Sequence, residues 1–103
     1  MLNKLNSGVD FMFIISDVSS AHKVGVLRLD RQSNSNYLVS ILIASEYNRR
    51  GFASAALACA SDLFSDLNLH ATVLEANVAS QKLFQRAGYK RLTTETFIKK
   101  SFE

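Results

Sequence analysis

One stretch limits the folds open to this chain more than any other, the run from Ser40 to Ala60. It begins inside an apolar segment, Val39 to Ala44, and passes into a polar, basic turn at Asn48-Arg49-Arg50-Gly51. Small and apolar residues follow at helical spacing. The pattern predicts a strand, a tight turn and a helix start. The first turn of a helix carries unpaired amides and a partial positive charge, so it receives anions, phosphate above all. Arg49 and Arg50 add positive potential, while Gly51, Ala53, Ser54 and Ala55 let a ligand approach the backbone. The turn therefore reads as a phosphate-cradling loop. It has neither the lysine and Ser/Thr of a Walker A loop nor a complete GxGxxG fingerprint, which points away from ATP and NAD.

The rest of the chain predicts a small sheet around that unit. Phe11–Ser16 and Lys23–Leu29 read as an antiparallel hairpin across the Ser-rich turn Asp17–His22. Asp30–Asn36 is a second turn. Tyr37–Ala44 is a third strand, and its near-continuous apolar character suits the middle of a sheet. Phe52, Ala53, Ala56, Leu57, Ala60, Leu63, Phe64 and Leu67 recur at i, i+3, i+4, i+7, which predicts an amphipathic helix ending about Asp66-Leu67-Asn68. Leu69–Leu74 is the next strand, and a right-handed crossover through the helix makes it parallel to the third. Asn77 stands where an N-cap belongs and Gly88 where a left-handed C-terminal residue belongs, so a second helix runs from about Val78 to Ala87. Tyr89–Lys100 closes as one or two strands, with Leu92, Phe97 and Ile98 facing inward. The expected class is α/β, a mixed, mostly antiparallel sheet with a central parallel β-α-β crossover and two main helices. Residues 1–10, polar and unpatterned, read as an N-terminal lead-in to a single domain over residues 11–103.

Composition narrows the function. With 103 residues, 48% of them hydrophobic, the chain can bury one core. No apolar run reaches the ~18 residues of a membrane span, and no signal peptide is visible, so the expected location is cytoplasmic. The single cysteine, Cys59, excludes an internal disulfide, and its mid-helix position predicts a small buried hydrophobe. A net charge of +3 suits an anionic ligand, but no basic stripe with interleaved aromatics marks a nucleic-acid partner. His22 and His70 are far apart, without a cysteine or carboxylate at ligand spacing, and predict no metal site.

Two motifs, in the right order and at the right separation, resemble the GNAT superfamily of acyl-CoA-dependent N-acetyltransferases. The first is Asn48-Arg49-Arg50-Gly51-Phe52-Ala53, similar to the family's Q/R-x-x-G-x-G/A, with Asn in place of the first Gln or Arg. The second runs from Asn77 to Tyr89 and is similar to the family's N-x-x-S/A-x-x-x-Y-x-x-x-G-F, through Asn77, Ser80, Phe84, Gly88 and Tyr89. The resemblance covers roughly residues 23–92. It implies that acetyl-CoA, as cosubstrate, lies where the strand before the loop splays from its parallel neighbour. The pantetheine arm would pair with the backbone at about Ile41–Ala44, which includes Ile43, and the pyrophosphate would sit on the loop amides from Arg49 to Ser54. Asn77, Ser80 and Phe84 complete the expected cofactor contacts. A primary amine of a small molecule then attacks the thioester directly, and a backbone amide of the splayed strand stabilises the oxyanion.

The sequence departs from the family in two places. The tyrosine that often serves there as general acid is Phe84, which has no proton to give. Only about ten residues precede the first expected strand, where the family generally has another strand and two helices. The shortness is expected of a truncated chain, of the C-terminal part of a larger enzyme, or of a minimal member completed by a partner. Together with Phe84 it favours the rival reading, a catalytically silent CoA-binding or dimerisation domain. An uncovered sheet edge would also invite a homodimer. For a general base the chain offers Glu46, Glu75, His22, His70 and Asp30, of which Glu75, at the end of the strand facing the cleft, is placed best. Tyr47 and Tyr89 are the candidates to replace the absent acid. The strands and the approach to Asn77 resemble acetyltransferase domains of nucleotide-sugar pathways, which makes an amino sugar the leading acceptor.

Overall fold

The alternation of apolar residues along the central strands builds one sheet with a single well-covered face. The computed structural model describes residues 2–5 and 10–101. They form strands β1 (Leu2–Leu5), β2 (Phe11–Ser16), β3 (Lys23–Ser33) and β4 (Asn36–Ile43), then helix α1 (Phe52–Leu63), strand β5 (Asn68–Thr72), helix α2 (Val78–Arg86), and strands β6 (Lys90–Arg91) and β7 (Thr96–Lys99). The strand order is β1-β2-β3-β4-β5-β7-β6. Every neighbouring pair is antiparallel except β4 and β5, which α1 joins in parallel. This is the mixed α/β class that the sequence predicts.

Cross-strand partners put the core on one side. Phe13 stands opposite Leu27, Leu29 opposite Val39, Tyr37 opposite Leu69 and Ala71 opposite Phe97. Ala56, Leu57 and Ala60 of α1 and Phe84 of α2 belong to the same buried cluster, so both helices cover this face. Directly opposite residues share a face. The other face therefore carries Met12, Ile14, Val26, Leu38, Leu42 and Ile98, all exposed or half-buried. Gly25 is required in mid-strand, because a Cβ there would strike the Leu42 carbonyl oxygen on β4.

Several expected boundaries shift. Leu2–Leu5 pairs with β2 where the lead-in stands in the sequence. The outer edge of β2 offers unpaired backbone groups, and a short strand satisfies them without needing a pattern of its own. The β2 edge, expected to be free, is therefore covered, and β1 is the outermost strand. The second turn is tighter than 30–36. β3 continues to Ser33 through a bulge after Arg31, helped by the Asp10 carboxylate accepting from Arg31 N at 2.7 Å, and the chain reverses at Asn34-Ser35. α1 ends at Leu63, which is 59% exposed and not part of the buried stripe. Leu92 also faces solvent, at 56%, because the turn between β6 and β7 lifts it off the sheet; the Arg91 guanidinium lies 5.0 Å over the Phe97 ring. Cys59 is half-buried. No described helix is long and apolar enough to cross a membrane.

Candidate functional site

β4 and β5 pair at only three positions, Asn36 with Asn68, Tyr37 with Leu69 and Leu38 with His70. Beyond them β4 continues to Ile43, pairing with β3 on its other side, and β5 turns away. From Val39 onward the β5-facing backbone of β4 therefore has no strand partner. Gln81 of α2 holds the diverging segment. Its buried side chain donates from Nε2 to the Leu74 and Glu75 carbonyls, 3.1 Å each, and accepts from Arg91 Nη2 at 2.8 Å. Val73 N donates to the Glu95 carbonyl at 2.8 Å, and Glu75 N to the Glu95 carboxylate at 2.7 Å. The segment after β5 is thus tied to α2 and the β6–β7 turn, and β5 stops at Thr72 rather than Leu74. A cleft of about 270 Å³ opens between the strands, walled by Val39, Ser40 and Ile41, by Thr72, Val73 and Leu74, and by Asn77, Ser80 and Phe84.

The loop lies at the far end of that cleft. After β4 a short 3₁₀ turn, Ser45–Tyr47, leads into Arg49 and Gly51, both at positive φ, 63° and 83°. Gly51 has open space around it, so conformation and not crowding requires glycine there. No side chain caps α1, and Ala55 N reaches back to the Gly51 carbonyl at 3.0 Å, which leaves the preceding amides of the first turn pointing outward. Asn48, Arg49 and Gly51 to Ser54 line a cavity of about 480 Å³ together with Ile43 and Tyr47 and, across it, Asn77, Ala79, Ser80, Leu83 and Arg86 of the α2 region. Asn77 and Ser80 border both cavities, so loop and cleft form one elongated path.

The structure gathers most of the candidate residues along this path. Arg49, Gly51, Phe52, Ala53, Ser54 and Ile43 line the loop cavity, and Ile41 and Phe84 line the cleft. Asn77 Oδ1 accepts from Ser80 N at 3.1 Å, the expected N-cap. Arg50 is placed differently. Its guanidinium lies 5.4 Å over the rings of both Tyr47 and Phe52, and it does not line the cavity. Glu75 is exposed and borders neither space. Tyr89 is buried, its hydroxyl has no hydrogen-bond partner, and burial pushes its pKa far above the ordinary tyrosine value. Its ring packs edge-on to Phe84 at 5.0 Å, as a core residue. Ala79, Leu83 and Arg86 also line the loop cavity, and the motifs do not mark them. Their i, i+4, i+7 spacing, one face of α2, is the signal that finds them.

The family model described as the acetyltransferase (GNAT) domain matches residues 1–90, and the chain belongs to that family. GNAT acetyltransferases use acetyl-CoA as cosubstrate. The fold is similar to that of a GNAT-family acetyltransferase from Bacillus anthracis, with a TM-score of 0.79 at 19% identity over 89% of this chain and 67% of that one. It is also similar to a chimera of the Vibrio cholerae spermidine N-acetyltransferase SpeG with hSSAT, with a TM-score of 0.75 at 16% identity over 90% of this chain and 68% of that one. The chain spans about two thirds of the length of these structures. No curated protein matches it at a significant level.

Proposed function

We propose that the chain binds acetyl-CoA along the path from the α1 start to the strand cleft and transfers its acetyl group to a primary amine of a small molecule. One observation carries the proposal: the unpaired run of β4 opens directly onto the uncapped start of α1. An elongated ligand with an anionic centre and an amide-rich arm fits that arrangement. The amides of Phe52, Ala53 and Ser54, with Arg49 and Arg86, would hold the pyrophosphate, since charge-assisted bonds to backbone N–H are among the stronger hydrogen bonds. The β5-facing backbone of Val39–Ile43 would pair with the pantetheine amides. Acetyl-CoA supplies the activated acetyl group; the chain orients it and leaves a β4 amide available to the thioester oxygen.

The acceptor reading rests on a third cavity. A groove of about 380 Å³ lies on the sheet face away from the helices, lined by Gln32, Ser33, Asn36, His70, Thr72 and Thr96 and by the apolar Leu38, Ala71 and Phe97, and it meets the cleft at Thr72. No carboxylate lines it. A polyamine would bring further positive charges with nothing to pair them, whereas hydroxyl-rich amino sugars match these neutral donors and acceptors. This favours an amino sugar as acceptor.

Phe84 supports the rival, a CoA-binding domain without turnover, because the cleft wall it forms has no acid. A thiol with a pKa of about 8.5 is nevertheless a tolerable leaving group near neutral pH. Phe84→Tyr is therefore expected to raise thiol release from acetyl-CoA and D-glucosamine several-fold above the wild-type rate. Equal rates across the pH range would mean that thiolate protonation does not limit, and absence of thiol release from both proteins would favour the silent domain.

A further inference from the structure

We propose that His70 is the general base that deprotonates the acceptor amine, a role that rests on the acetyl-transfer reading above. His70 is the last residue of β5 paired with β4, through Leu38, so it stands where the strands begin to part. It lines the neutral groove on the face away from the helices, two residues before Thr72, where groove and cleft meet. Two strand residues span about 7 Å, which the imidazole and one bridging water together cover. An amine entering from the groove passes His70 before it reaches the cleft.

The hydrogen bonds around Asn36 fix which ring nitrogen is available. Asn36 Nδ2 donates to Ser33 Oγ at 3.0 Å and to the Asn34 carbonyl at 3.1 Å. Its Oδ1 therefore faces the ring, 2.9 Å from His70 Nε2. An amide oxygen only accepts, so Nε2 carries the hydrogen and the neutral ring keeps its lone pair on Nδ1. Along the row of cross-strand partners through His70, Asp30 follows Leu38 and Lys90 follows Ile98, their backbones each two strands or about 10 Å away. The Asp30 carboxylate is itself held by Arg28 Nε at 3.0 Å. β3 adds Gln32 and Ser33, β7 adds Thr96, and Lys100 follows the end of β7.

The proton balance is simple. The substrate ammonium gives one proton to Nδ1 and attacks as the free amine. The N–C bond forms to give a tetrahedral oxyanion, whose collapse breaks the thioester C–S bond; the nitrogen's second proton goes to the departing thiolate, and the imidazolium returns its proton to solvent. Glu75 has no part in this.

Two measurements test the assignment. In the full chain labelled with ¹⁵N-histidine, NMR is expected to find neutral His70 as the Nε2–H tautomer; the Nδ1–H tautomer overturns the proposal whatever the variants do. His70→Gln is expected to lower kcat/KM for D-glucosamine about 100-fold, as loss of a general base does. It should also remove the acidic limb of the pH profile while leaving the melting shift on acetyl-CoA unchanged. Wild-type kcat/KM in His70→Gln, with that shift intact, overturns the role of His70 and leaves the transfer reading standing. No thiol release by the wild-type chain with either D-glucosamine or spermidine overturns the transfer reading instead, and the role of His70 with it.

Discussion

Replacing Gly51 with aspartate is expected to weaken acetyl-CoA binding at least about 100-fold, roughly 2.8 kcal/mol, while the fold persists. The new carboxylate would stand at the mouth of the amide cradle and repel the phosphates that those amides and Arg49 attract. Gly51 also adopts φ 83°, where a side chain costs about 1–2 kcal/mol. That penalty moves the loop more than the core, because the residue is exposed and a Cβ there meets no neighbour. Titration calorimetry on the folded variant checks this. Wild-type affinity in that variant would mean that the loop does not hold the phosphates.

The loop was legible because two local rules coincide there, an apolar run ending at a glycine and a helical period starting after it. The choice between Arg49 and Arg50 was not. An arginine selects among solvent, phosphate and an aromatic face through tertiary contacts, and here Arg50 takes the rings of Tyr47 and Phe52, which its immediate sequence does not announce. The splay between the parallel strands was expected from the family resemblance alone. The Gln81 amide, three residues before Phe84 on the buried face of α2, holds the diverged segment in place, a tertiary contact that spacing does not announce. β1 has no sequence signature for a related reason: its pairing is supplied by the edge of β2, not by any alternation in Leu2–Leu5. Leu63 and Leu92 fit apolar periodicities and yet face water, since a period marks a face only while its element lasts. Glu75 occupies the expected stretch of chain but borders neither cavity, because Gln81 and Glu95 bind its backbone and turn the segment away.

The largest stability effect is expected at Phe97. It is fully buried, the largest such side chain among the described residues, and stands opposite Ala71 in the sheet. Its ring stacks on Phe84 at 6.4 Å, so the cleft wall rests on it. Phe97→Ala removes that support and leaves a cavity, a change that typically costs about 3–5 kcal/mol. Set against the ~5–15 kcal/mol of a whole domain, the loss should lower the melting temperature by more than about 12 °C. Acetyl-CoA affinity should fall with it as Phe84 loses its backing. Urea or thermal unfolding measures the first effect, and a loss below about 1 kcal/mol would contradict the packing described.

The most direct test of the central claim is the thermal melt of the wild-type chain with and without saturating acetyl-CoA, with ATP and NAD as controls. At ~100 times its dissociation constant, a ligand that binds only the folded state adds about 2.7 kcal/mol. In a domain of this size that amounts to a rise on the order of ten degrees or more. The proposed path predicts this rise for acetyl-CoA and none of comparable size for ATP or NAD. An unchanged melting temperature with acetyl-CoA, or an equal rise with all three, would contradict it.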